Sequence, residues 1–212
     1  MLFQISTIIF ATTGFAFIST IFFIIANIFF LLVGEKYLEK RDQINVSQYF
    51  ILIGAINILW NTIQFWLTDF ISFLSLDLEE LYTYMLYVIY LPTFIVELLT
   101  FGAFLILIAS NNEERDGRLL LFAGISSITH TIFGFLVTFL LYSSLSLGSY
   151  PNGVSLLIMG IANIISLIFL VVFNILLILY SFKLDELYLK ISAFSLLLTT
   201  LITIGTMILS IF

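Results

Sequence analysis

The chain has no cysteine and only one histidine among its 212 residues. The lack of cysteine excludes disulfide bonds, thiolate metal sites and cysteine nucleophiles. A haem held by two histidines is excluded as well, because a single histidine supplies one axial ligand at most. We therefore expect neither a cofactor nor a bound metal.

Catalytic motifs are also missing from the sequence. There is no His-Glu-x-x-His zinc motif, no Gly-x-Ser-x-Gly nucleophile elbow and no glycine-rich phosphate loop. No lysine lies within an apolar segment in a position to carry a retinal Schiff base. The sequence therefore predicts a protein that is not an enzyme.

Charged residues are scarce, at 9% of the chain, whereas 62% of the residues are hydrophobic. A typical soluble domain has about 25% charged residues. Seven Lys and Arg against thirteen Asp and Glu give a net charge of -6, which argues against nucleic-acid binding. The composition predicts that the main partner of the chain is the lipid bilayer.

Six apolar segments are long enough to cross a bilayer, for which a helix needs roughly 20 residues. Continuous apolar runs, without two-residue alternation, favour helices over an outer-membrane barrel. The sequence thus predicts an all-α bundle of six transmembrane helices in one domain, residues 1–212. The predicted spans are 7–33, 48–70, 84–109, 119–142, 155–182 and 188–211.

All seven basic residues fall in or beside the first, third and fifth connections between these spans. By the positive-inside rule, the connections 34–47, 110–118 and 183–187 face the inside and both termini face the outside. The chain is then three helical hairpins in a plasma membrane or an organelle's inner membrane. The residues of these charged caps are Lys36, Lys40, Arg41, Arg115, Arg118, Lys183 and Lys190.

The connection around residues 69–80 mixes large apolar side chains with four acids. It is too short to cross the membrane, so we expect it to lie along the interface. The tyrosines that follow suit an aromatic belt at the level of the lipid headgroups.

Three short stretches in the second half carry a resemblance. They are Arg118–Gly124 at the start of the fourth span, Leu184–Ile191 before the last span and Ile204–Leu209 near its end. In these stretches the chain resembles archaeal multi-pass membrane families of unassigned function. The resemblance implies a multi-pass membrane protein, and it implies no activity.

Two ionisable residues lie deep within the predicted spans. Glu97 precedes Asn111 by 14 residues and His130 follows Arg118 by 12. At about 1.5 Å per helical residue, they lie roughly 21 Å and 18 Å from the inner surface. A buried charge in a bilayer needs a partner or a purpose. We therefore expect Glu97 and His130 to meet near the midplane as a hydrogen-bonded or proton-sharing pair.

Amide side chains on the second span lie at a comparable depth. Asn57, Asn61 and Gln64 follow one another at steps of three or four residues, which places them on one helix face. They are candidates for the wall of a polar midplane pocket. Polar groups of this kind also join transmembrane helices without forming a pocket. The stripes Asn163, Ser166 and Asn174, and Ser195, Thr199 and Thr203, are interpreted in that second way.

Two functions fit these observations. Short loops, few charges and many packing stripes favour a non-catalytic accessory subunit that packs against other membrane subunits or against a second copy of itself. The alternative is a small proton-coupled transporter or channel built around Glu97 and His130.

Overall fold

The computed structural model describes the backbone of residues 2–38, 44–74, 76–111, 117–148 and 150–209, with side chains in 17–36, 46–71, 73–74, 76–111, 117–148 and 150–206. Within these ranges the chain forms six long helices and no β-strand. They are α1 (Leu2–Leu38), α2 (Ile44–Phe73), α3 (Leu78–Asn111), α4 (Gly117–Ser146), α5 (Gly153–Lys183) and α6 (Leu187–Leu209). Each is long and apolar enough to cross a membrane, which confirms the predicted fold class.

The six helices form a ring. Each helix packs against the one before it and the one after it, and α6 closes the ring against α1. The side chain of Phe101 on α3 fills the centre, with ring centroids 6.2 Å from Phe23, 6.1 Å from Phe30 and 5.8 Å from Phe173. The ring order therefore places α1, α3 and α5 around a common aromatic centre.

Residues 69–80, which we expect to lie along the membrane interface, are mostly helical, and their position at the interface stays a prediction. Helix α2 continues to Phe73, and α3 already begins at Leu78. The Asp77 side chain accepts a hydrogen bond of 2.8 Å from the backbone N–H of Glu80. This N-cap satisfies a backbone donor that the first turn would leave without a partner. The helix therefore begins at Leu78, six residues before the predicted span.

Neighbouring helices approach closely at glycines. A Cβ atom on Gly54 of α2 would lie 2.5 Å from the backbone oxygen of Asn27 on α1. A Cβ atom on Gly124 of α4 would lie 2.7 Å from Ile106 Cγ1 and 3.0 Å from the oxygen of Gly102 on α3. Small residues are what transmembrane helices need at such crossings, because backbones meet there directly.

The apolar core occupies one half of the bundle. We call the end that carries the connections 34–47, 110–118 and 183–187 the charged end, and the opposite end the termini end. The core side chains come from all six helices, each from the half nearer the charged end: Phe30, Val33, Phe50, Ile53, Leu105, Ile108, Leu120, Leu177 and Leu189. Since lipid tails are as apolar as these side chains, close packing stabilises this half.

Ion pairs tie the charged end together. Lys36 Nζ donates to both carboxylate oxygens of Glu186, at 2.9 and 2.7 Å, and thereby joins α1 to the α5–α6 connection. Lys190 pairs with Asp185 across the same connection. Arg118 is exposed, and Lys183 has an interaction partner. The other predicted cap residues, Lys40, Arg41 and Arg115, lie outside the described residues.

Candidate functional site

Helix α3 is irregular on both sides of Glu97. Residues Met85–Tyr90 and Leu98–Phe104 form two π-helical segments, and Glu97 ends the α-helical stretch between them. A π turn holds an extra residue, so it rotates the residues that follow around the helix axis. Short π segments within transmembrane and soluble helices are frequent at functional sites. The irregular part of α3 therefore coincides with the one acid of the predicted midplane site.

A cavity of about 400 Å³ lies inside the ring between α1, α3, α4, α5 and α6. We call it the main cavity. Phe23, Phe101 and Phe173 form its apolar floor, and the core of the charged end lies beneath them. Its volume falls within the range of about 300–1,000 Å³ that is usual for small-molecule sites. The polar side chains of its wall are Glu97, Ser127, His130, Thr131, Asn163, Ser166, Asn174, Thr199, Thr200 and Thr203.

A second cavity, of about 210 Å³, lies between α3 and α4. This side cavity runs from Glu97 and His130 towards Tyr90 and Thr138, nearer the termini end. Four residues belong to the walls of both cavities: Glu97, His130, Thr131 and Gly134. The two ionisable residues of the membrane interior are therefore placed where the two cavities adjoin.

A tyrosine pair joins α3 to α4 beyond the side cavity. The hydroxyl groups of Tyr90 and Tyr142 are 2.9 Å apart, and the ring centroids are separated by 4.7 Å. Tyr82 packs against Tyr142 edge to face. This cluster lies at the end of the side cavity that is nearer the helix termini, so it borders the path between Glu97 and that membrane surface.

Glu97 and His130 share these walls, but the expected direct hydrogen bond between them is not formed. His130 Nδ1 lies 2.8 Å from Ser166 Oγ and 3.0 Å from the Ser166 backbone oxygen, so its partner is α5. Glu97 instead has the side chain of Thr131 on α4 as its polar neighbour in the wall that the two cavities share. The two residues lie at the same level of the bundle. The rotation of each helix about its axis directs their side chains to other partners.

The three amides of α2 lie away from both cavities. Asn57 Nδ2 donates to the Ile53 oxygen and Asn61 Nδ2 donates to the Asn57 oxygen, both at 2.9 Å. Asn57 also accepts a long contact of 3.5 Å from Thr100 on α3. Gln64 lines neither cavity. These residues serve the α2 backbone and its packing on α3, so the predicted pocket wall on α2 is wrong.

The polar wall comes instead from α5 and α6, whose stripes were interpreted as packing surfaces. Asn174 and Thr200 are bonded to each other across these helices at 2.9 Å. The signal in the sequence was present, because Asn163, Ser166 and Asn174 repeat at helical spacing. Spacing alone does not tell a packing face from a cavity wall, since both need small or polar side chains on one side of the helix.

Comparison with known proteins returns no relative for this chain. No protein family, no curated protein and no solved structure matches it. The resemblance to archaeal multi-pass membrane families stays a prediction from the three short stretches that carry it.

Proposed function

We propose that this integral membrane protein couples the movement of a small polar solute across the membrane to the movement of a proton, with the main cavity as the solute site. The observation that carries the proposal is the shared wall of the two cavities, where Glu97 and His130 lie side by side with polar groups of α5 and α6. A ring of helices that only held a complex together would have no need of such a wall.

The physical argument starts from the cost of polar groups in a bilayer. A charged side chain at the bilayer centre costs roughly 2.5–3.5 kcal/mol on insertion scales. Glu97 and His130 are both only half-buried and line cavities. They therefore lie beside open space rather than in a closed core, and this lowers the cost. Both residue types exchange protons, which is the chemistry that couples a solute to a proton gradient.

The packing of the bundle supports an alternating mechanism. The charged end is closed by the apolar core and by the Lys36–Glu186 ion pair. The cavities lie in the other half, with the side cavity reaching towards the termini end. In this arrangement the solute site is closed on the charged side. Helix α3, with π segments on both sides of Glu97, is the element suited to re-pack when the site opens to the other side.

The test is proton movement in proteoliposomes with an entrapped pH dye. A gradient of one small solute at a time is applied, with glycerol, urea, lactate and guanidinium as the panel. We expect at least one solute to drive proton movement, and we expect Glu97→Gln to abolish it because the carboxyl group carries the proton. Glu80→Gln is the matched control, since Glu80 is an exposed acid on the same helix.

Two results would overturn the proposal. One is solute-driven proton movement that persists in Glu97→Gln at the rate of the wild type. The other is the absence of proton movement with every solute of the panel, in proteoliposomes whose protein content and orientation are verified.

The accessory-subunit function, which the sequence favoured, has one structural observation in its support. The end of α2 presents four large aromatic side chains that are exposed by 60% or more: Phe65, Trp66, Phe70 and Phe73. Such a surface suits a neighbouring membrane subunit, and it also suits lipid. The native mass in mild detergent decides between them, because an accessory subunit co-purifies with stoichiometric partners and a transporter is recovered alone or as a homo-oligomer.

A further inference from the structure

The hydroxyl groups of α6 in the main cavity have already used their donors. Thr199, Thr200 and Thr203 each donate to the backbone oxygen four residues earlier, at 3.0 Å in all three cases. A hydroxyl that donates in this way still has lone pairs on its oxygen. This wall of the cavity therefore offers acceptors to a bound solute.

Asn174 on α5 also has an oxygen that can accept a hydrogen bond. Its Nδ2 donates to the Leu170 oxygen at 2.8 Å and to Thr200 Oγ1 at 2.9 Å, which uses both of its N–H groups. Its Oδ1 is buried and has no hydrogen-bond partner within the described part of the chain. A buried polar atom without a partner costs about 1–3 kcal/mol, and an N–H donor on a solute bound in the adjoining cavity would remove that cost.

His130 adds an acceptor as well. Its Nδ1 faces the backbone oxygen of Ser166, and a carbonyl oxygen only accepts. The hydrogen of the neutral ring is therefore assigned to Nδ1, which leaves Nε2 with a lone pair. Three residues of the cavity wall have side-chain donors that no hydrogen bond in the described part of the chain uses: Ser127, Thr131 and Asn163.

The charge and shape of the main cavity further restrict which ligands it can bind. Glu97 is the one acid of the wall, and no Lys or Arg lies among the residues that line the main cavity. The floor presents the rings of Phe23, Phe101 and Phe173, and aromatic faces attract cations. An anion would meet acceptors and a carboxyl group without a basic partner. A bare metal ion would need its oxygen ligands within about 2.6 Å, and a cavity of about 400 Å³ is larger than such a shell.

We propose that the main cavity binds a small organic cation that carries N–H donors, a class that includes ammonium, guanidinium and short alkylammonium ions. The Glu97 carboxylate is its counter-charge, Asn174 Oδ1 accepts one of its N–H groups and the phenylalanine floor holds its apolar side. This inference rests on the proposed transport function for its biological meaning, but binding can be measured without transport.

The test uses the wild-type protein in nanodiscs with guanidinium as the probe, because guanidinium stays charged at every usable pH. Binding is followed with the radiolabelled ion. Urea has the same planar shape and N–H donors without the charge, and tetramethylammonium has the charge without donors. We expect both to compete at least about tenfold more weakly than guanidinium, as expected for the loss of one strong interaction. Sodium is the inorganic comparison and should not compete.

The variant test compares two buried asparagines. Asn174→Leu removes the unpartnered acceptor from the cavity wall and should weaken guanidinium binding by about tenfold. Asn27→Leu is the matched control. The Oδ1 of Asn27 is equally buried and unpartnered within the described residues, but Asn27 lines neither cavity. We expect this control to bind guanidinium as the wild type does.

Each outcome has a definite meaning. Urea that competes as well as guanidinium overturns the requirement for charge, and tetramethylammonium that does so overturns the requirement for donors. Proton movement driven by glycerol or lactate, with no guanidinium binding, leaves the proposed function standing and refutes this inference. If guanidinium binds with the expected selectivity and no solute moves protons, the inference holds and the transport function fails. If Asn174→Leu does not fold, the competition among the four probes on the wild type still decides.

Discussion

Two ion pairs at the charged end show how the burial of an ion pair determines its contribution to stability. Lys36 binds both oxygens of Glu186, whose side chain is largely buried, whereas the Asp185 side chain that pairs with Lys190 is exposed. Exposed pairs contribute little because water and salt screen them. The two pairs lie within one short connection, so they can be compared in the same protein.

We expect Lys36→Met to lower the stability of the detergent-purified protein by about 1–2 kcal/mol, because it leaves the Glu186 carboxylate short of a charged donor. Asp185→Asn should lower stability at neutral pH only slightly, because its carboxylate is exposed. Asparagine also tolerates the left-handed backbone of this position, where φ is 52°. Thermal unfolding monitored by tryptophan fluorescence checks both, and an equal loss in the two variants would contradict the argument.

The ion pair of Asp185 with Lys190 also affects how stability depends on pH under acidic conditions. The hydrogen bond and charge of Lys190 lower the pKa of Asp185 below its ordinary value. A lowered carboxyl pKa gives stability that is fully present above the unfolded value and is lost as pH falls through the folded one. Asp185→Asn should therefore flatten only this acid-side part of the profile, and only slightly, because the site is exposed.

At the scale of elements, two glycines set the distance between helix pairs. An alanine Cβ at Gly124 would press on Ile106 and on the Gly102 oxygen of the π segment in α3. An alanine Cβ at Gly54 would press on the Asn27 oxygen of α1. Neither backbone oxygen can move without separating two helices, so overpacking is expected to destabilise.

We expect Gly124→Ala and Gly54→Ala each to cost about 1–3 kcal/mol of stability. Gly160→Ala is the matched control on α5, because nothing lies within 4 Å of its added Cβ atom. That substitution should be neutral, or stabilising by up to about 1 kcal/mol, because alanine favours a helix over glycine. The midpoint of thermal unfolding in one detergent compares all three, and a loss in Gly160→Ala as large as in Gly124→Ala would show that close crossing is not the cause.

The elements also show what the sequence can and cannot predict. The six spans are local properties of about 20 residues each, so hydropathy located them. Depth along a helix is local too, and it brought Glu97 and His130 to one level. Rotation about each axis depends on packing partners, so the bond of His130 to Ser166 and the cavity wall on Asn174 and Thr200 were not predictable from spacing. The π segments of α3 changed that rotation further.

For the whole molecule, the asymmetry between the two halves determines on which side of the membrane the proposed solute site is closed. The apolar core closes the charged end and the cavities lie towards the termini end. The seven basic residues at the charged end predict that this end faces the inside. If so, the proposed solute site is closed towards the inside in this conformation and lies nearer the outer surface. In the opposite orientation it would be closed towards the outside.

Cysteine labelling decides the orientation, and the natural lack of cysteine makes the chain its own unlabelled background. Tyr150→Cys places a thiol in the α4–α5 connection at the termini end, where Tyr150 is 89% exposed. Asp185→Cys places one in the exposed part of the α5–α6 connection at the charged end. We expect a membrane-impermeant maleimide to label Tyr150→Cys in intact cells, and to label Asp185→Cys only after the membrane is permeabilised. The reverse pattern would invert the predicted topology, and the closed charged end would then face the outside.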